Sequence, residues 1–241
     1  QEKYNFVLLE DACAALGSTY KGQKIGTFGD MSTFSFFFGH HISTIEGGMI
    51  CTNDSRYNSI LRQIRAHGWA KDLPKEEEER LAKEHNILEF NRRFSFYLPG
   101  FNVRSTDLNA FIGLSQMKKI DRVIDRRIEN HAMYQKRFNE AFRYCQHNEK
   151  AIISSISFAT LADNLTHREN ISLALRTNGI EYRPLGGGNM SRQPFWTMFH
   201  ELQTMPFADR VHTTSVHIPN HPSLSLEDVN FICDVILGVK S

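Results

Sequence analysis

The chain lacks most of what would tie it to a metal, a membrane or a nucleic acid. Its cysteines, Cys13, Cys51, Cys145 and Cys233, are far apart and form no C-x-x-C pair. The ligand spacing of zinc and iron–sulfur sites is therefore absent, no metal is expected, and the four read as reduced, mostly buried thiols. No apolar run approaches the roughly 20 residues that span a bilayer. The start, Gln1-Glu2-Lys3-Tyr4, lacks the apolar centre of a signal peptide, so the expected location is cytoplasmic. Charge of one sign is also missing: 28 basic residues against 27 acidic leave a net charge of +1. Nucleic-acid and anionic-membrane binders rely on a basic surplus, so neither is an expected partner and the ligands should be small. What remains is ordinary globular material, 241 residues with 41% hydrophobic and 23% charged content, enough for one or two cores.

The order of patterns points to an α/β chain. Asn5 to Leu9 is a short apolar run of the kind that forms a buried parallel strand, and it ends in Glu10-Asp11. Such strand ends are where α/β folds place ligands. Met31–Phe38 and Gly48–Thr52 read as two more strands joined by the Gly39–Gly47 loop, and Asn53 or Asp54 caps a helix through about Ala66. The charged stretch from Lys71 to Asn86 reads as a solvated loop or a short surface helix. From Thr106 onward, Leu108, Phe111, Ile112, Met117, Ile120, Ile124, Ile128, Phe138 and Phe142 recur at helical spacing, predicting one long helix with an apolar face for a domain or subunit contact. Beyond it lie an expected strand at Ala151–Ala159 and a capping box at Thr166–Glu169 that opens a helix stopped by Asn178-Gly179. Strands at Ile180–Pro184 and Val216–Ile218 follow, with a last helix capped by Ser225. Gly186-Gly187-Gly188 suggests mobile or closely approached backbone.

Seven segments fall in one recognisable order: Glu10-Asp11-Ala12, Gly26-Thr27-Phe28-Gly29-Asp30, Phe34-Ser35-Phe36, Glu46-Gly47-Gly48, His67-Gly68-Trp69, Gly100-Phe101-Asn102-Val103-Arg104 and Gly188-Asn189. Together with the loop Gly39-His40-His41-Ile42-Ser43-Thr44-Ile45 they resemble the DegT/DnrJ/EryC1/StrS sugar aminotransferases, a branch of the fold-type I pyridoxal-phosphate (PLP) enzymes. The resemblance implies the C-terminal part of an aspartate aminotransferase-like large domain over residues 1–145, with its N-terminal part missing, then a small α+β domain over 146–241. It also implies a homodimer. The upstream segment that supplies the phosphate-binding helix N-terminus and the aromatic stacked on the pyridine ring is expected to be absent, as in a fragment or incomplete gene product. Ala14 stands where the family usually has a polar side chain.

Position 40 is where that resemblance becomes chemically specific. His40 takes the slot of the lysine that tethers PLP, and imidazole cannot form that tether but can move protons near neutral pH. Within the family a histidine there marks the 3-dehydratases of nucleotide-linked 4-keto-6-deoxy sugars, and the lack of clustered cysteines favours the branch that acts on GDP-4-keto-6-deoxy-mannose with PLP alone. The implied reaction has L-glutamate convert PLP to pyridoxamine phosphate, whose amine condenses with the C4 ketone. His40 then carries a proton so that the C3 hydroxyl leaves as water, and ammonia is released at the end.

Other residues take roles from the same resemblance. Asp11 would hold the pyridine nitrogen protonated, whereas alone it reads equally as a helix cap. Ser35 would bind the PLP phosphate, and Asn102 would reach that phosphate from the partner subunit. His67 would contact the amino donor and Lys71 the nucleotide-sugar. Arg104 is a clamp for substrate anions or a structural ion pair, and Arg183 is a candidate for the glutamate carboxylate. Two rival readings stay open, an aminotransferase making a 4-amino-deoxy sugar and an inactive binding or scaffolding remnant.

Overall fold

In this computed structural model, residues 4–138, 148–240 and the backbone of 143–144 are described. In chain order the strands are β1 (Leu9–Asp11), β2 (Thr19–Tyr20), β3 (Gln23–Lys24), β4 (Met31–Ser35), β5 (Gly48–Thr52), β6 (Arg143–Tyr144), β7 (Ala151–Ile152), β8 (Ser157–Leu161) and β9 (Ser215–Pro219). The helices are α1 (Ser55–Arg65), α2 (Lys75–Glu84), α3 (Asp107–Met117), α4 (Ile120–Phe138), α5 (Leu165–Thr177), α6 (Pro194–Thr197), α7 (Pro206–Thr214) and α8 (Leu226–Leu237). They fall into two compact units, one of Gln1–Cys13 with Gly26–Lys118 and the other of Ala14–Ile25 with Lys119–Ser241. The expected 145/146 boundary, Phe142 and Cys145 lie outside the described residues, but α4 and the β2–β3 hairpin both belong to the second unit.

In the first unit β4 is the centre of a sheet ordered β1-β4-β5, with β1 parallel and β5 antiparallel to it. The expected strand at Asn5–Leu9 forms only from Leu9, because the Leu8 N–H goes to Asp30 Oδ2 (2.7 Å) and the Leu8 carbonyl to the Asp30 N–H (2.9 Å). Phe6 and Val7 are exposed, not buried. Helix α1 starts on the Asp54 carboxylate, which accepts from the N–H groups of Arg56 and Tyr57, as the sequence led one to expect. Further on, the segments around Gly68 and Leu98 cross so closely that a Cβ at Gly68 (φ +90°) would lie 1.7 Å from Leu98 O. The single long helix expected from Thr106 is instead two: α3 ends at Met117, and Lys118 and Lys119 stand at its C-terminus with Asp121 opening α4. Cations behind one helix and an acid in the first turn of the next suit a break between two macrodipoles.

The second unit carries a packed core in which Tyr134, Phe138, Phe158, Ile171, Ile218 and Ile236 are all buried. It lies under the antiparallel sheet β6-β8-β9, with α4, α5 and α8 packed around it. The strand expected over Ala151–Ala159 is cut into β7 and β8, and a buried arginine is the cause. Arg127 Nη1 donates to the carbonyls of Ser155 (3.3 Å), Ile156 (3.1 Å) and Asn220, while the Ser154 N–H goes to Ser18 Oγ (2.9 Å), so the linking backbone has no ladder to join. Burial pushes the Arg127 guanidinium down to about 10, which leaves it charged at neutral pH. The N-cap of α5 lies two residues before the expected one, because Asn164 accepts from the His167 N–H (2.9 Å) and takes Thr166 into the helix. Ile180–Pro184 is no strand; Arg183 alone bridges to His217. Asn178-Gly179 stops α5 and Ser225 caps α8, as expected. The described cysteines are free: Cys233 is buried, Cys13 half-buried and Cys51 exposed, so burial is not general.

Phe158→Ala should lower the stability of this unit by about 3–5 kcal/mol, because it empties a site ringed by Tyr134, Phe138 and His131. Urea unfolding followed by near-ultraviolet circular dichroism measures it. Burial, with a smaller contribution from Arg183, pushes His217 down to about 4 from an ordinary value of 6.5. The unfolded chain thus binds the proton first on acidification, so this stability is full above pH 6.5 and is lost as pH falls towards 4. Up to about 2 kcal/mol should go, partial solvent screening allowed for. In His217→Gln the melting temperature should vary less over that interval.

Candidate functional site

The parallel register pairs Asp11, at the C-terminal end of β1, with Thr33 in the middle of β4, and Ser35 closes β4 two residues on. Asp11 Oδ1 accepts the Cys13 N–H (3.1 Å) and the Thr33 hydroxyl (3.3 Å). Hydrogen bonds from Cys13, thiol first and backbone next, hold the Asp11 carboxyl below its ordinary value, and the Thr33 hydroxyl and the charge of His40 act in the same direction. The acidic side chain at this strand end is therefore an anion at any neutral pH. Its neighbour Glu10 does a different job, accepting from the N–H groups of Gly26 (2.8 Å), Phe28 (2.6 Å) and Gly29 (2.7 Å), which fixes the turn before β4.

The loop between β4 and β5 carries His40 on a tied backbone. Phe36 N–H donates to Gly47 O (2.9 Å), Thr44 N–H to Phe36 O (2.8 Å) and His40 N–H to Phe37 O (3.0 Å). Asn109, third residue of the capping box that opens α3, also donates Nδ2 to Thr44 O (2.8 Å), so that helix holds the loop from outside. Within this frame His40 Nδ1 lies 3.3 Å from Ser35 Oγ, and Ser35 Oγ accepts the Phe37 N–H (3.2 Å). His40 is half-buried and its neighbour His41 is buried, so the loop presents the first imidazole and packs the second.

Asp11, Ser35 and His40 are thus brought together. Asn102 and Arg104 are exposed and joined to each other, with Arg104 Nε donating to Asn102 Oδ1 (3.3 Å). Arg104 has this amide partner and, among the described residues, no ion pair. Asn102 bridges to Ala66 beside His67, whose own backbone is left-handed at φ 63° and donates to Phe101 O (2.7 Å). The His67 ring meets Trp69 edge-on at 5.9 Å, and Lys71 Nζ stands 5.9 Å from the Trp69 ring. Arg183 lies in the other unit, exposed. Thr33, Cys13 and Asn109 were missed in the sequence. The parallel register would have named Thr33; Asn109 is revealed by the structure as the third residue of the capping box opened by Thr106. Among the described residues no group of three or more His, Cys, Asp or Glu side chains is placed to hold a metal, and no helix is long and apolar enough to cross a membrane.

Known proteins resemble this chain in sequence and in fold. The GDP-4-keto-6-deoxy-D-mannose 3-dehydratase of Escherichia coli O55:H7 is 32% identical over 96% of this chain and 61% of its own length. The GDP-perosamine synthase of Escherichia coli O157:H7 is 31% identical over 96% of this chain and 58% of its own. A solved structure of the E. coli GDP-4-keto-6-deoxy-D-mannose-3-dehydratase with bound hydrated PLP superposes with a TM-score of 0.83 at 29% identity, over 98% of this chain and 61% of that one. The chain therefore spans about 60% of the length of these relatives. The family profile is matched over residues 1–237, so this α/β chain, with Asp11 at the end of β1 and His40 on the β4–β5 loop, belongs to the DegT/DnrJ/EryC1/StrS aminotransferase family.

Proposed function

We propose that this chain is part of a PLP-dependent enzyme that removes the C3 hydroxyl of a nucleotide-linked 4-keto-6-deoxy sugar, GDP-4-keto-6-deoxy-mannose, with L-glutamate as amino donor. The observation that carries the reading is His40, held on Ser35 beside an ionised Asp11, at the position of the family's lysine. These residues fit the cofactor: a carboxylate already kept anionic by Cys13 and Thr33 suits a protonated pyridine nitrogen, and Ser35 Oγ is a donor for a phosphate oxygen. When bound, PLP supplies an electron sink and a carbon that exchanges an amino group with glutamate.

Each side chain then has a separate task. Asp11 holds the proton on the pyridine nitrogen. Ser35, which already accepts the Phe37 N–H, would also accept the His40 Nδ1–H and give its own proton to the phosphate, which leaves the other ring nitrogen of His40 as the free base. At that nitrogen His40 would take up one proton and hand it on to the departing C3 hydroxyl, with the cofactor supplying the electron sink when bound. A lysine amine would tether the cofactor, and an imidazole leaves it untethered. His67 and Lys71 are proposed to meet the amino donor and the nucleotide-sugar, and Asn102 and Arg104 the phosphate and substrate anions. The exposed apolar face of α3, with Leu108, Phe111 and Leu114, supports a homodimer in which Asn102 serves the partner's site.

A second reading, amine transfer to the same sugar, is favoured by the likeness to GDP-perosamine synthase. The fate of nitrogen separates the two. Incubation of the protein with PLP, glutamate and GDP-4-keto-6-deoxy-mannose should release ammonia and leave a sugar without nitrogen; an amino sugar as main product would establish transfer instead. His40→Asn should lower the dehydration rate by about 10²–10⁴-fold with cofactor affinity nearly unchanged, the loss expected of a proton carrier. Asp11→Asn should weaken PLP binding and shift the bound absorbance band, read by spectroscopic titration.

A further inference from the structure

Helix α5 presents two faces. Ile171 and Leu175 are buried in the core of the second unit, while Arg168, Ser172 and Arg176, spaced four apart, form the stripe beside them. That stripe lines a cavity of about 370 Å³ together with Tyr182 and Arg183. The Arg183 backbone is fixed by two hydrogen bonds to His217, of 3.1 and 2.7 Å, so its guanidinium springs from a rigid point. Among the described residues none of the three arginines has an ion-pair partner, and Glu169 is the one carboxylate on the cavity wall. Three cations face one anion. Arg168 stands in the first turn of α5, which holds no acidic residue and where a cation works against the macrodipole, so helix stability does not explain it.

We propose that this cavity binds a diphosphate group through Arg168, Arg176 and Arg183. A guanidinium fork takes two oxygens of a phosphate, and three forks outnumber what one carboxylate can accept. The Ser172 and Tyr182 hydroxyls add donors, and the volume is that of a small-molecule site and not of a single water. Arg183, expected from the sequence to meet the glutamate carboxylate, thereby serves a more highly charged anion. The proposal rests on this cavity and not on the dehydration reading. The group has two sources, free pyrophosphate or the diphosphate bridge of a nucleotide.

Isothermal titration of the protein with inorganic pyrophosphate, GDP and L-glutamate, at one fixed salt concentration, tests it. Pyrophosphate should bind saturably, and its affinity should fall at least tenfold in Arg168→Ala/Arg176→Ala with the circular dichroism spectrum unchanged. GDP losing affinity to the same extent names the nucleotide as the source; pyrophosphate alone names a free anion. Should the double variant fail to fold, Arg176→Lys keeps the charge without the fork and should still cost several-fold. No saturable binding of either phosphate probe, equal affinity in the folded variant, or glutamate binding more tightly than both would overturn the proposal.

Discussion

The parallel pairing of β1 with β4 is the constraint on which the first unit's chemistry depends. It sets Leu9 against Met31, Glu10 against Ser32 and Asp11 against Thr33, so the alternation of the pleat sorts two adjacent carboxylates into different tasks. Glu10 turns to the N–H groups of the 26–29 turn and fixes where β4 begins, while Asp11 turns to Thr33 and Cys13. A one-residue slip would exchange them, leaving the turn without its acceptor and placing the wrong acid beside His40. The position of Ser35 follows from the same register, since it ends the strand whose Thr33 is already paired.

Sequence patterns reached these elements unevenly, and the reasons are physical. Caps were legible where one side chain has one nearby set of N–H groups to satisfy: Asp54 before α1 and Ser225 before α8 are local decisions. The group Asp11, Ser35 and His40 was legible as well, through resemblance and not through spacing. What could not be read was anything decided from far along the chain. Arg127 takes the carbonyls of Ser155 and Ile156 from 28 and 29 residues away, and no local pattern in Ala151–Ala159 announces that. The early start of α5 is a nearer miss, in which two competing caps lay within three residues and the first one won.

Arg127 also shows how the second unit tolerates a charge inside its structure. The guanidinium has carbonyl partners on Ser155, Ile156 and Asn220, and Asn220 returns a hydrogen bond from Nδ2 to Arg127 O (3.0 Å). Carbonyl dipoles thus replace part of the water lost on burial. The cavity arginines are the opposite case. Arg168, Arg176 and Arg183 belong to the same unit but stand where solvent or a ligand can reach them, so one residue type serves as internal brace on α4 and as open anion receptor along α5.

The histidine at position 40 gains its meaning from the rigidity around it. A base that serves two proton positions in sequence needs a fixed backbone and some latitude at the ring. The loop supplies the first, with Phe36, Thr44 and Gly47 bonded to one another and Asn109 of α3 bonded to Thr44. For the second, Nδ1 lies 3.3 Å from the Ser35 hydroxyl, a neutral group that can donate or accept as the imidazole changes form. Asp11 is near enough for His40 to lower its pKa, yet the hydrogen bonds from Cys13 act first, so the carboxylate stays ionised whichever form the imidazole takes. The charge at Asp11 is thereby set apart from the protonation of His40, which is the condition the proposed division of labour requires: one group to move protons and the other to hold the pyridine nitrogen.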